Sequence, residues 1–170
     1  MTVLVTDRLT LRPPEARDWP AFFDYAMSPR AKYTGGEQWN GHVWRTFAAE
    51  IGHWQIRGYG MFIVTETGSD DAIGLVGPWY PVGWPEREVG WMMFTDAHEG
   101  KGYAREAAQA ALDHVFGSLG WDTAVSYIAP ANVRSRALAE RLGASIDPEA
   151  IGPGMSPTLV YRHPRPEDRP

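Results

Sequence analysis

Hydrophobic and polar positions along the chain change period several times, and each change marks an element. Arg8, Leu9, Thr10, Leu11 and Arg12 alternate polar with apolar and stop at Pro13-Pro14, which predicts a strand ended by residues that cannot continue a ladder. Asp18, followed by Pro20, predicts a helix start, with Trp19, Phe22, Phe23, Ala26 and Met27 on one helical face. Beyond the Gly-rich stretch Tyr33-Thr34-Gly35-Gly36, a second helix carries Trp44, Phe47, Ala48, Ile51 and Trp54 at three-four spacing and ends near Gly58. Met61 to Glu66, Ala72 to Tyr80 and Arg87 to Phe94 read as strands. The turns between them are short enough for an antiparallel meander.

The strongest helical period follows, with Ala104, Ala107, Ala108, Ala111, Leu112, Val115, Phe116 and Leu119 in register; so many alanines imply close packing on a sheet. Asp122 to Ile128 predicts a further strand, Asn132 to Leu142 a helix closed by Gly143, and Thr158 to Arg162 a last strand. From His163 onward, three prolines and four charges predict a frayed tail. The order is strand, two helices, three antiparallel strands, helix, strand, helix, strand: a mixed α/β sheet in one domain over residues 1–170.

A length of 170 residues suits one domain with a full core. No apolar run approaches the roughly 18 residues that span a bilayer, and Asp7 and Arg8 interrupt the N-terminus, so a cytoplasmic protein without membrane contact is expected. The absence of cysteine excludes disulfides, thiolate metal sites and a cysteine nucleophile. A net charge of −5 argues against a nucleic-acid partner. Five histidines show no metal-ligand spacing, so no metal is expected: His98 reads as a turn residue, and His53 and His114 as surface or packing residues of helices.

The run Glu99-Gly100-Lys101-Gly102-Tyr103-Ala104 joins a strand to the long alanine-rich helix. Two glycines allow conformations closed to other residues, and the helix N-terminus adds unpaired N–H groups and a positive dipole end, so the expected guest is a phosphate or pyrophosphate. Gly102 after Lys101 rules out a P-loop, which needs Ser or Thr there, and the third glycine of a dinucleotide fingerprint is missing.

Glu99 to Ala104, Glu88-Val89-Gly90-Trp91, Asn132 with Ser135, and Glu140-Arg141-Leu142-Gly143 together resemble the GNAT superfamily of acyl-CoA-dependent N-acyltransferases. With the opening Thr6-Asp7-Arg8-Leu9-x-Leu11-Arg12, the set is similar to the branch of ribosomal-protein alanine N-acetyltransferases. The resemblance implies a mostly antiparallel central sheet flanked by helices and splayed at a β-bulge strand that binds acyl-CoA. It implies that Gly100, Lys101, Gly102, Tyr103, Ala104 and Arg105 hold the pyrophosphate of acetyl-CoA, that Met93, Phe94 and Thr95 pair with its pantetheine amides, and that Asn132 touches the cofactor. A free N–H at the splay would stabilise charge on the thioester oxygen. Glu99 stands where the family has Arg or Gln, and its side chain is expected to point to solvent.

An amine nucleophile must lose a proton, since its pKa lies near about 10. Glu88, among Trp84, Trp91 and Met92, is the candidate base, against an ordinary strand carboxylate paired with Arg87. Many relatives place a tyrosine acid at the position of Ala139; Ser135 is the remaining hydroxyl, unless Asn132 and Ser135 simply cap their helix. Tyr33, Trp39, Trp79 and Trp84 are expected to wall the acceptor pocket, together with the rest of the loop to Gln38, His42 and Arg45, while Trp44 and Trp54 are expected in the core. The reaction implied is acetyl transfer to a primary amine, a protein N-terminus or a small molecule. A drug- or metabolite-modifying enzyme of the same fold and a non-catalytic CoA-binding module are the alternatives, and a homodimer is common in the family.

Overall fold

The computed structural model of the protein describes residues 2–35, 39–154 and 156–168. The strands are β1 (Leu4–Val5), β2 (Leu9–Arg12), β3 (Phe62–Glu66), β4 (Gly74–Trp79), β5 (Glu88–Met93), β6 (Val125–Ile128), β7 (Ser145–Ile146) and β8 (Leu159–Arg162). They form one sheet in the order β1-β2-β3-β4-β5-β6-β8-β7, antiparallel throughout except between β5 and β6. Helices α1 (Trp19–Ala26) and α2 (Asn40–Arg57) precede β3, α3 (Tyr103–Gly117) crosses from β5 to β6, and α4 (Val133–Arg141) follows β6. This is the mixed α/β sheet expected from the patterning, and it is mostly antiparallel as the family resemblance implies. The two-residue strands β1 and β7 are too short to produce an alternation.

Period two along the strands divides the core between the two faces of the sheet. Phe62, Val64 and Val76 pack with Leu9 and Leu11 against Ala107, Ala108, Ala111, Leu112 and Val115 of α3. Ile63 and Leu75 point the other way, joining Met61 and Phe94 against Phe22 and Tyr25 of α1 and Val43 and Phe47 of α2. The three α3 alanines are fully buried, so the helix axis lies close to the strands.

Three expectations need correction. Asp18 stands at the start of α1 but makes no side-chain cap there. Its carboxylate is buried and grips Arg12 with two bonds of 2.7 and 2.8 Å, while also accepting the Glu15 N–H at 2.8 Å. A guanidinium at the buried end of β2 outcompetes a helix amide for the carboxylate. Trp44 is exposed, not core: α2 buries the stripe Val43, Phe47, Glu50, His53 and Trp54, one residue round from the tryptophan, whereas Trp54 is buried as expected. The tail from His163 is tied down as far as it is described. His163 is buried, its N–H donates to the Ala124 carbonyl at 3.0 Å, and Arg165 holds the Asp122 carbonyl at 2.9 Å.

Removing one partner of a buried ion pair leaves the other charge uncompensated, so Asp18→Asn is expected to lower the unfolding free energy by about 3–5 kcal/mol. Urea denaturation measures this, and a loss under about 1 kcal/mol would mean that Arg12 reaches solvent instead.

Candidate active site

The site begins where β5 loses a neighbour. On one side, β5 pairs with β4 over six consecutive positions, from Gly74↔Met93 to Trp79↔Glu88. On the other side β6 meets it at Glu88↔Val125, with Val125 N–H donating to the Arg87 carbonyl at 3.0 Å, and the pairing goes no further. Side chains stitch the gap: Ser126 Oγ donates to the Val89 carbonyl at 2.6 Å, and Trp91 Nε1 donates to Ser135 Oγ at 3.2 Å. The splay opens into a cleft of about 470 Å³ that is bounded by β5, β6, α1, α2 and the start of α4.

Glu88 sits at the point of parting and lines this cleft, its carboxylate accepting Trp84 Nε1–H at 2.7 Å. Burial pushes its pKa up to about 7, against the lowering effect of the Trp84 hydrogen bond and of one from the Tyr127 backbone. A second carboxylate, Glu50 of α2, also lines the cleft and was not anticipated. It is only 4% exposed, its Oε2 has no hydrogen-bond partner, and burial, then the charge of Glu88, pushes its pKa up to about 8. The signal was in the sequence: Val43, Phe47, Glu50 and Trp54 recur at helical spacing, with one acid inside an apolar stripe.

Asn132 and Ser135 both line the cleft. Asn132 Oδ1 accepts the Ser135 N–H at 3.3 Å, so it caps α4 as well, while Ser135 Oγ takes the Trp91 indole. Ala139 is fully buried against Ile128, Ala144 and Tyr161. Of the expected acceptor walls, Tyr33, Trp79 and Trp84 face the cleft. Trp79 is stacked on the His53 ring at 4.6 Å. His53 is held in one tautomer, Nδ1 donating to the Tyr59 carbonyl at 2.7 Å and Nε2 accepting the Tyr80 N–H at 3.0 Å; burial holds its pKa below the usual imidazole value. Trp39 departs from expectation. It is 63% exposed beneath the Arg45 guanidinium and off the cleft wall, because it occupies the N-cap position of α2 and folds back over Gly41. Gly36 to Gln38 of the expected loop lie outside the described residues.

The glycine loop adopts the backbone its composition predicts. Gly100 (φ 72°) and Gly102 (φ 80°) are left-handed, and a Cβ at Gly100 would meet nothing within 4 Å, so the turn presents open main chain. Tyr103, Ala104 and Arg105 form the first turn of α3, whose N–H groups have no carbonyl one turn back. The turn rests on the N-terminal segment: Arg8 donates to the Lys101 carbonyl at 2.9 Å, lies over the Tyr103 ring, and binds Glu106, which also accepts from Thr6 Oγ1 at 2.6 Å. Sequence reasoning gave this support no role. Glu99 does not point to solvent. Arg30 (2.6 Å) and Arg134 (2.5 Å) clamp it, leave its side chain 31% exposed and hold its pKa down, because each guanidinium donates a charge-assisted hydrogen bond to the ionised carboxylate.

The strand end is less available than expected. Arg30 Nη2 takes the Met93 carbonyl at 3.0 Å, Phe94 is buried in the core with its N–H on the Ile73 carbonyl, and Thr95 Oγ1 pairs with His98 Nδ1. The stretch of β5 that lines the cleft is Val89 to Met92. Among the described residues no cluster of three or more His, Asp or Glu is placed to hold a metal, and no helix is long and apolar enough to cross a membrane.

The same fold occurs in solved acetyltransferase structures. The acetyltransferase (GNAT) domain profile matches residues 8–145. The chain belongs to the GNAT acetyltransferase family. An acetyltransferase from Agrobacterium tumefaciens is 38% identical, with a TM-score of 0.91 over 97% of this chain and 95% of that one. The uncharacterized protein YkkB of Bacillus subtilis is 32% identical over 94% of each chain. A putative ribosomal-protein-serine acetyltransferase from Vibrio cholerae shares the fold at 22% identity, with a TM-score of 0.74 over 96% of this chain and 98% of that one. As a GNAT protein the chain is built for an acyl-CoA donor, and solved structures of ribosomal-protein acetyltransferases stand among its structural neighbours.

The raised pKa of Glu50 has a consequence for stability. Between the ordinary glutamate value and about 8, the folded protein holds a proton that the unfolded chain releases, so the cost of burying Glu50 is absent at low pH and grows as pH rises. Glu50→Gln removes that cost. Its melting temperature is expected to match the parent near about pH 4 and to exceed it by several degrees near about pH 9, as followed by thermal melts across that range. A gap independent of pH would place the ionised carboxylate in contact with water.

Proposed function

We propose that the protein transfers an acetyl group from acetyl-CoA to a primary amine by direct attack, without an acyl-enzyme, and that Glu88 is the base. The observation that carries this reading is the position of Glu88: a carboxylate at the parting of β5 and β6, inside the cleft, with a pKa of about 7.

The glycine turn suits a pyrophosphate, since its face is open main chain at a helix N-terminus, Lys101 and Arg105 add positive charge, and Glu99 is already neutralised by two arginines. Gly100 to Arg105 would hold the pyrophosphate, and Val89 to Met92, with Asn132, would hold the arm that follows. Acetyl-CoA, when bound, supplies a thioester carbonyl and a thiolate leaving group. A thiol of pKa about 8.5 needs little help to leave, which makes the missing tyrosine at Ala139 tolerable. Ser135, oriented by the Trp91 indole, is a hydroxyl available on that side of the cleft. Glu88 takes the amine proton directly or through one water. The acceptor is a small amine or a peptide N-terminus entering between Tyr33, Trp79 and Trp84.

Steady-state thiol release tests the assignment. Glu88→Gln is expected to lower kcat by about 10²–10⁴ and to abolish the acidic limb of the pH profile, whose apparent pKa should lie near 7 in the parent, while calorimetry finds acetyl-CoA affinity unchanged. A glutamine variant with the parental rate and profile would remove Glu88 from the mechanism.

A further inference from the structure

Glu50 occupies a core position of α2, on the stripe with Val43, Phe47 and Trp54, yet it faces the cleft with a buried, unpartnered oxygen. A buried carboxylate oxygen without a donor is costly, and a donor arriving from outside would relieve that cost. The rest of the cleft points to the charge of that donor. Glu88 is the other acid in its wall, and no Lys, Arg or His side chain is among the described residues that line it. Phe22, Trp79 and Trp84 supply aromatic surface, which suits a cation attached to an uncharged body.

We propose that Glu50 and Glu88 form a two-carboxylate seat for the ammonium of the acceptor, Glu50 binding it and Glu88 removing its proton, and that the acceptor is therefore a small primary amine with an uncharged body. The proposal rests on the acetyl-transfer reading above. The protons balance: the ammonium gives one N–H proton to Glu88, which frees the lone pair to form the C–N bond; the C–S pair leaves with sulfur, and a second N–H proton neutralises it. A bound ammonium displaces the proton that burial keeps on Glu50, so the seat is charged when filled; an amine with a neighbouring carboxylate then meets two acids and no cation, so free amino acids are excluded by charge. Bulk is limited as well. The cleft encloses about 470 Å³, and the Tyr33 hydroxyl donates to the Ala131 carbonyl at 3.1 Å, tying the segment after α1 to the segment before α4.

The experiment measures thiol release from saturating acetyl-CoA with phenethylamine, phenylalanine and a hexapeptide beginning with alanine, using the parent, Glu50→Gln and Glu50→Asp. The parent should prefer phenethylamine over phenylalanine by about 100-fold or more in kcat/KM and should also prefer it over the peptide. Glu50→Gln should raise KM for phenethylamine by about 10-fold or more with kcat within about 3-fold, and Glu50→Asp should fall between. Melting curves and acetyl-CoA titration report whether each variant is folded, and if Glu50→Gln is not, the aspartate variant carries the same prediction at smaller size. An unchanged KM in the variants, equal use of phenylalanine, or preference for the peptide overturns the two-carboxylate seat while leaving acetyl transfer intact. Acetyl-CoA binding without release by any amine overturns acetyl transfer and the seat with it.

Discussion

The parting of β5 from β6 is the constraint on which the rest of the structure depends. A parallel ladder continued past Glu88↔Val125 would consume the main-chain groups of β5 and close the cleft. Leaving it unmade frees main-chain groups of β5 for other partners: the Val89 carbonyl takes the Ser126 hydroxyl, which is itself bonded to His163, while the Trp91 side chain bridges the gap to Ser135. The tail that carries His163, held also through Ala124 and Asp122, thereby supports one of the stitches across the gap.

The crossover helix gives the gap its second half. Because α3 meets the sheet through Ala107, Ala108 and Ala111, its N-terminus follows closely on the end of β5, and Glu99 before the glycine turn is tied to Arg134 of α4, between the cleft-lining Asn132 and Ser135. The chain's first residues then lock that turn from behind, with Thr6 and Arg8 gathered on Glu106 and Arg8 reaching the Lys101 carbonyl. An opening motif recognisable only as a family resemblance thus has a mechanical purpose: it fixes where the main-chain donors of the turn point.

Local chemistry was legible in the sequence wherever it was decided locally. The alternation in Leu9 to Arg12, the alanine period of α3, the Gly143 stop and the glycine turn all depend on neighbours within a few residues, and each stands where the pattern put it. What was not legible depends on partners outside the local pattern. Asp18 caps nothing in α1 because Arg12 claims it, and Glu99 turns inward because Arg30 and Arg134, distant in sequence, arrive on either side. Trp39 and Trp44 misled for a different reason: aromatic side chains near a helix start carry no period of their own, and which way they face is set by the stripe two turns on. Glu50 was the reverse case, a residue whose spacing announced burial but whose charge argued against it.

Arg30 leaves one further mark on the molecule. It sits in the segment that carries Ala31, Tyr33 and Thr34 into the cleft wall, yet its guanidinium reaches Asp96, Glu99 and the Met93 carbonyl at the foot of the glycine turn. One guanidinium therefore joins the wall of the cleft to the foot of the glycine turn. Wall and turn are thus pinned by a single side chain, so the position of one is tied to the position of the other.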